Sequence, residues 1–138
     1  MPLRRASAQK SRSLYDFYRD LADQGEQKHY GQVGRQMLEL LPLMEILCAD
    51  LPVWGLTSLD SLLLLAKDEW HSRPYVRVYA LPQDGYGIEY EMPDHEAPWP
   101  NTTVHGRARS KEEAITMVRT AMVRSGGWPG MLENPSAP

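Results

Sequence analysis

The sequence predicts an α+β fold: N-terminal helices, then a three-stranded antiparallel meander, then a C-terminal helix packed on one sheet face. Apolar residues recur at helical spacing in the first half, at a period of two over 75–108, and at helical spacing again near the end. The length of 138 residues fits one domain. We assign 1–13 to a basic flexible arm, 14–128 to a single α+β domain and 129–138 to an irregular tail.

Helical patterns occupy the first half of the chain. The hydroxyl of Ser13 suits the N-cap of a first helix, and a second helix is predicted over about 32–49. Pro42 predicts a kink or a break in it, because proline lacks a backbone donor and clashes with the preceding turn. A third short helix is predicted over 57–67, but its Leu62–Leu65 run also fits a buried strand, and periodicity does not decide.

The second half alternates polar and apolar residues, which predicts strands over about 75–81, 86–92 and 102–108. If paired positions of the first two strands sum to 166, apolar residues share a face and Arg77 lies opposite Glu89. A shift by one residue would instead place valines on the same face as glutamates. We therefore predict the first register, with a connecting loop of three or five residues.

The last helix is predicted from a capping pattern at each end. Ser110 and Glu113 have the spacing of a capping box, and Gly126 follows the last apolar position, where a left-handed residue ends many helices. Glu112 lies near the positive end of the helix dipole and Arg124 near the negative end, as the dipole favours.

The net charge of −3 hides an uneven distribution. Residues 1–13 carry +4, residues 14–72 carry −6 and residues 73–138 carry −1. The longest uninterrupted apolar run, Leu62–Ala66, is far shorter than a membrane span, and the N-terminus lacks a signal-peptide pattern. We therefore expect a cytoplasmic protein that does not enter membranes.

No arrangement of reactive side chains in the sequence points to a reaction. Cys48 is the single cysteine and lies in an apolar helical pattern, which is typical of a buried residue. The four histidines lack the spacings that place two metal ligands on one face. We predict a non-enzymatic protein without metal or cofactor, and keep a small enzyme using His95 or His105 with nearby carboxylates as the third alternative.

Three cations cluster at the start of the last helix, where they oppose the helix dipole. An anion bound there would explain Arg107, Arg109 and Lys111, because free backbone N–H groups and three cations would converge on it. The alternative is a solvated charge cluster neutralised by Glu112 and Glu113.

The predicted order of one helix, three antiparallel strands and a basic-started helix is similar to the double-stranded-RNA-binding domain, over at most residues 58–125. That resemblance implies cations presented to phosphates, and Lys111 with Arg107 and Arg109 matches it. The first hairpin loop departs from the family, because it carries Asp84 and no histidine. The acidic chain also lacks the basic field of duplex binders, so we assign no membership.

The predicted register brings aromatic and charged residues together on the outer sheet face. Tyrosine, tryptophan and arginine are enriched at protein interfaces, and Trp128 is expected to frame the same region. The alternative is that the N-terminal helices cover this face, which would make the tyrosines core residues. The candidate protein-binding residues are Tyr75, Arg77, Tyr79, Glu89, Glu91 and Trp99.

These observations favour a protein-binding module of the immunity, antitoxin or adaptor type. It would act through the sheet face and an acidic helical surface, and the acidic surface would suit a basic partner. The competing hypothesis is a nucleic-acid-binding protein that uses the basic arm and the cationic start of the last helix. The partner's identity and the oligomeric state are left open.

Overall fold

Residues 3–132 are described by a computed structural model of the chain, with three α-helices and a six-stranded mixed sheet. The α+β class is therefore confirmed, while the prediction of only three strands is wrong. Residues 1–2 of the predicted arm and 133–138 of the predicted tail lie outside the described residues. The elements are β1 (Leu3–Arg5), α1 (Leu14–Ala22), α2 (His29–Leu47), β2 (Val53–Ser58), β3 (Ser61–Leu65), β4 (Tyr75–Leu81), β5 (Gly85–Glu91), β6 (Thr103–Ala108) and α3 (Lys111–Ser125).

The predicted helix caps are confirmed. The Ser13 hydroxyl accepts a hydrogen bond from the backbone N–H of Asp16 at 3.0 Å, and the Ser110 hydroxyl accepts one from Glu113 at 3.1 Å. Gly126 ends α3 with φ at +81°, a conformation that glycine adopts without steric cost.

Helix α2 runs through Pro42 without interruption, so the alternative of a break there is wrong. Pro42 is exposed, whereas Leu41 and Met44 beside it are buried in the core. Tertiary packing of this apolar stripe offsets the backbone hydrogen bond that proline cannot make.

The 57–67 segment is a hairpin of β2 and β3, so the predicted helix is wrong and the alternative of a buried strand is confirmed. Leu62 and Leu64 face the helices, while Leu63 and Leu65 lie on the opposite face. A strand that packs apolar groups on both faces has a continuous apolar run in its sequence. Such a run does not distinguish a buried strand from a short buried helix. The helix that the likeness to the RNA-binding domain required is therefore absent from 58–67.

Within the described residues, the segment that the sequence assigned to a flexible arm contributes a strand to the sheet. Strand β1 pairs in parallel with β2, and Leu3 and Ala6 are buried. The Arg5 guanidinium donates to the Gly55 carbonyl at 3.2 Å, and the Gln9 side-chain amide bonds the backbone N–H and C=O of Thr57 at 2.8 and 2.9 Å. Backbone groups at the edge of β2 are thus satisfied by residues that composition assigns to an arm.

The predicted register of β4 and β5 is confirmed. Arg77 pairs with Glu89, Val78 with Ile88 and Tyr79 with Gly87, which leaves a three-residue loop. From β2 onward each strand pairs antiparallel with the next, in the order β1-β2-β3-β4-β5-β6.

All three helices lie on the same side of the sheet, and the main core lies between the two layers. Tyr18, Met37 and Met122 are completely buried there with the inward residues of the strands. Trp128 also belongs to this core and donates its indole N–H to the Pro52 carbonyl at 3.1 Å. The expectation that Trp128 frames the outer face is therefore wrong. No helix in the described part of the chain is long and apolar enough to cross a bilayer.

Candidate protein-binding face

The sheet face opposite the helices, here called the open face, carries most of the predicted binding residues. Tyr75, Arg77 and Tyr79 alternate on β4 with the buried Val76 and Val78, so they point away from the helices. Glu89 and Glu91 of β5 lie on the same face by register. The alternative that the helices cover these tyrosines is wrong, because the helices occupy the other side.

Three arginines stack on three aromatic rings across the open face. The guanidinium carbon of Arg77 lies 4.9 Å from the ring centroid of Tyr79, that of Arg73 lies 6.0 Å from Tyr75, and that of Arg4 lies 5.3 Å from Trp54. Such pairs are attractive because the cation faces the negative surface of the ring. Two of the stacks follow one another along β4, and the third lies on β1 and β2 of the same face.

The Tyr79 ring lies against the backbone of Gly87 on the neighbouring strand. A Cβ atom at Gly87 would overlap the phenol ring, so glycine is required for this close approach. One ring face therefore rests on β5 while Arg77 lies over the ring.

The two glutamates of the open face are largely covered by their neighbours. The side chains of Glu89 and Glu91 are only 15% and 13% exposed. Glu89 lies 3.9 Å from Arg77 and 3.5 Å from His105, and Glu91 pairs with Arg73. Solvent therefore meets guanidinium groups more than carboxylates on this face.

A cleft of about 440 Å³ opens between the open face and the loop after β3. Trp70 at its rim is 72% exposed, whereas Ser72 in its wall is buried, and the Ser72 hydroxyl has no hydrogen-bond partner in the described structure. Asp68 ties the loop to the N-terminal segment by accepting hydrogen bonds from the Ser7 N–H and hydroxyl, which lower the pKa of Asp68. The cleft is lined by Ser58, Leu63, Leu65, Trp70, His71, Ser72, Arg73, Tyr75, Arg77 and Glu89.

Tyr75 lines this cleft together with Leu63 and Leu65, which belong to the small apolar cluster of the open face. It packs with Leu63 against Leu56, Leu65 and Ala6. Partial burial, and then the nearby charges of Glu89 and Glu91, raise the pKa of Tyr75. Tyr75 is therefore both a cleft wall and a structural contact.

Trp99 is 69% exposed in the loop between β5 and β6. Its carbonyl accepts a hydrogen bond from the Thr102 hydroxyl at 2.7 Å, and nearby Asn101 contacts Arg73 at 3.4 Å. The loop thus adjoins the open face at Arg73, while no contact of the Trp99 ring with the described residues places it on that face.

The three cations of the predicted anion site do not converge. Arg107 pairs with Gly87 and lies on the open face, whereas Arg109 and Lys111 line a groove of about 610 Å³ beside α2. That groove also contains Arg35 and Glu39. Strand alternation separates Arg107 from the other two, because the chain leaves the sheet only after Ala108.

The groups considered for catalysis are dispersed. His95 and Glu96 form an exposed pair at 3.7 Å, and His105 contacts Glu89 on the open face. Within residues 3–132, no cluster of three or more histidine, cysteine or carboxylate side chains could hold a metal. Burial, and then the charge of Glu45, raise the pKa of the Cys48 thiol to about 12, which leaves it inert near neutral pH.

Several residues of the open face and its cleft were not predicted as binding residues from the sequence, among them Arg4, Trp54, Leu63, Trp70 and Arg73. Arg4 belonged to the predicted arm, and Leu63 lay in a run that fitted a helix or a buried strand, so neither was assigned to this face. The exposed tryptophan at position 70, next to histidine and arginine, was a usable signal, because tryptophan is enriched at interfaces.

No family model, curated protein or solved structure matches the chain. The site is therefore interpreted from its geometry.

Proposed function

We propose that this chain is a non-enzymatic protein-binding module that uses the open face, with the acidic helical side as a second contact surface. The observation that carries the proposal is the set of three arginine–aromatic stacks on a sheet face that no helix of the described residues covers. Tryptophan, tyrosine and arginine dominate the binding energy of protein interfaces, and side chains already held in stacks lose less conformational entropy on binding. Immunity, antitoxin and adaptor proteins are the classes that this arrangement fits.

The acidic helical side supports the second contact surface. Asp16, Asp20, Asp23 and Glu26 are exposed in and around α1, opposite the arginines of the open face. Some of this charge is already neutralised, since Asp20 pairs with Arg12 and Asp16 with Arg19. The sheet side therefore suits an acidic surface and the helical side a basic one.

A binding experiment with matched variants tests the proposal. The full chain, Arg73→Ala/Tyr79→Ala on the open face, and Lys111→Ala/Ile46→Ala on the helical side outside the acidic region around α1 serve as baits in lysate from the source. We expect a partner retained by the wild type and the helical-side variant and lost by the open-face variant. The identified partner, purified, must reproduce this order of affinities by calorimetry. Equal affinity for the two variants, or a wild type that retains no partner and stays monomeric, would contradict the proposal.

A second candidate function is nucleic-acid binding, for one observation: Arg4, Arg73, Arg77 and Arg107 share the open face. The stacked guanidinium groups and aromatic rings also suit phosphates and bases. Fluorescence anisotropy with labelled single-stranded and duplex oligonucleotides tests it. Binding that weakens steeply between about 50 and 200 mM salt supports this candidate, and no binding at the lower salt rules it out.

A further inference from the structure

Arg77 is held in place by its inner nitrogen, while its outer nitrogens make no hydrogen bond to any residue that the structure describes. Its Nε donates to the hydroxyl of Ser61 at 3.0 Å, and its guanidinium lies over the Tyr79 ring. Ser61 is 1% exposed, so this hydrogen bond is anchored in the sheet. The Nη1 of Arg77 is 3.9 Å from Glu89, beyond hydrogen-bonding range.

Arg77 lines the cleft under the loop after β3. Its two outer nitrogens form a planar pair of donors, here called the fork. Leu63 and Tyr75 provide apolar surface beside it, and Trp70 stands exposed at the rim. Arg73 adds a second cation. A ligand that fits has a planar anionic end for the fork and an apolar stem for the walls.

Glu89 selects among anions that could reach Arg77. Its carboxylate lies in the same cleft and repels any incoming negative charge. A phosphate group, with about −1.5 to −2 charge at neutral pH, experiences this repulsion more strongly than a carboxylate with one charge. A carboxylate also matches the guanidinium fork by two parallel hydrogen bonds.

We propose that Arg77 is the receptor for a carboxylate of the partner protein, bound in this cleft by its two outer nitrogens. The inference rests on the proposed function, because it names what the partner presents to the open face. The carboxylate comes from a glutamate or aspartate side chain or from a chain terminus, and both sources share this chemistry.

Nuclear magnetic resonance of the arginine side chains tests the receptor without the partner. The probes are N-acetylglutamate amide for a side-chain carboxylate, N-acetylleucine for a chain terminus, and N-acetylglutamine amide as the uncharged control. The Arg77 Nε–H signal, assigned by its loss in Arg77→Lys, is followed during titration of the folded wild type. We expect a saturable shift, with millimolar affinity for the isolated group, for one or both carboxylates. The control amide should leave the signal in place.

Two variants sharpen the test. Removing the competing charge in Glu89→Gln should tighten carboxylate binding by about threefold. Arg109→Gln removes a cation that lines the groove beside α2 and not this cleft, so it should leave the affinity unchanged. Because the titration uses the wild type, a variant that fails to fold does not remove the test.

Several outcomes would overturn the inference. These are no shift at Arg77, an equal shift with the amide control, tighter binding of inorganic phosphate than of either carboxylate, or weaker carboxylate binding in Glu89→Gln. If the open-face variant loses the partner but Arg77 shows no response to carboxylates, the carboxylate site is contradicted while the proposed function is supported. A carboxylate response at Arg77 without any partner bound on the open face would support the carboxylate site and contradict the proposed function.

Discussion

Ser72 and Ser61 are both buried serines beside the cleft, and only one has a partner among the described residues. The Ser61 hydroxyl accepts a hydrogen bond from Arg77, whereas the Ser72 hydroxyl has none in the described structure. A buried hydroxyl without a partner costs about 1–3 kcal/mol of desolvation. Ser72 is therefore a residue whose polarity does not stabilise the fold.

We predict that Ser72→Ala leaves the free energy of unfolding unchanged or raises it by about 1 kcal/mol, since the unpaired hydroxyl is removed. Ser61→Ala should lower it by about 1–2 kcal/mol, because a hydrogen bond to a charged group is lost. Urea unfolding of the two variants measures both values. A loss in Ser72→Ala as large as that in Ser61→Ala would show that the Ser72 hydroxyl has a partner.

Gly87 is the second residue with a specific steric role. We expect Gly87→Ala to lower stability by about 1–3 kcal/mol, because the new methyl group forces the Tyr79 ring or the strand to move. Gly106→Ala on β6 is the matched control, since its Cβ would meet only the flexible end of Met117 at 2.6 Å. Thermal unfolding compares them.

Tyr79→Ala combined with Gly87→Ala separates crowding from an effect on the backbone. With the ring absent, the added methyl group has room. The free energy of unfolding should therefore fall by less in the double variant than by the sum of the losses in the two single variants. Additive losses would mean that the ring does not occupy the position described.

At the scale of elements, Tyr86 joins the sheet to α2. Its hydroxyl donates to the backbone carbonyl of Gln36 at 2.8 Å, and the Gln36 side chain donates to the Gly85 carbonyl at 2.8 Å. Burial, and then the charges of Glu39 and Glu112, raise the pKa of Tyr86 to about 12. This contact is therefore sensitive to alkaline pH.

The direction of the pH effect follows from proton linkage. The unfolded chain loses the Tyr86 proton near the ordinary tyrosine pKa of 10.0 while the folded chain keeps it to about 12, so stability falls as pH rises between these values. Tyr86→Phe has no proton to lose, so the stability difference between wild type and variant should shrink across this window. Melting temperatures below pH 10 and at about pH 11 measure it. Tyr30→Phe on the exposed side of α2 is the control, and a constant difference for Tyr86→Phe would contradict the prediction.

At the scale of the whole molecule, the N-terminal strand β1 extends the sheet to six strands and contributes to the main core. Leu3 is 4% exposed and belongs to the main core, and it pairs with Val53, fifty residues later. We expect Leu3→Ala to lower the free energy of unfolding by about 2 kcal/mol, as core truncations do. Arg4→Ala, on the exposed neighbour, should cost about 0.5–1 kcal/mol through the loss of its stack on Trp54. Chemical denaturation tests both, and a Leu3→Ala variant as stable as the wild type would fit a flexible arm instead.

The net charge is a poor guide to the surfaces of the folded chain. Arginines from three separate segments meet on the open face, while α1 and its surroundings remain acidic. The weak total therefore conceals two sides of opposite character, and each side suits a different partner surface.

Local features of this protein could be predicted from sequence because their causes act over a few residues. The caps at Ser13 and Ser110 depend on a hydroxyl three residues before a backbone N–H. The register of β4 and β5 follows from pairing across a three-residue loop, where apolar and opposite-charge matches exclude the shifted alternative. The open face with Tyr75, Arg77 and Tyr79 follows from that register.

The remainder depended on contacts between residues far apart in the chain. Strand β1 carries three residues and no periodicity, and it is a strand because it pairs with β2. The Leu62–Leu65 run is a strand because β2 and β4 pair with its two edges, while Leu62 and Leu64 pack in the main core and Leu63 and Leu65 in the small apolar cluster on the other face. The cleft and the fork of Arg77 exist only where β3, β4 and the loop after β3 meet. Long-range burial and pairing outweigh local propensity at these positions, so sequence patterns alone did not identify them.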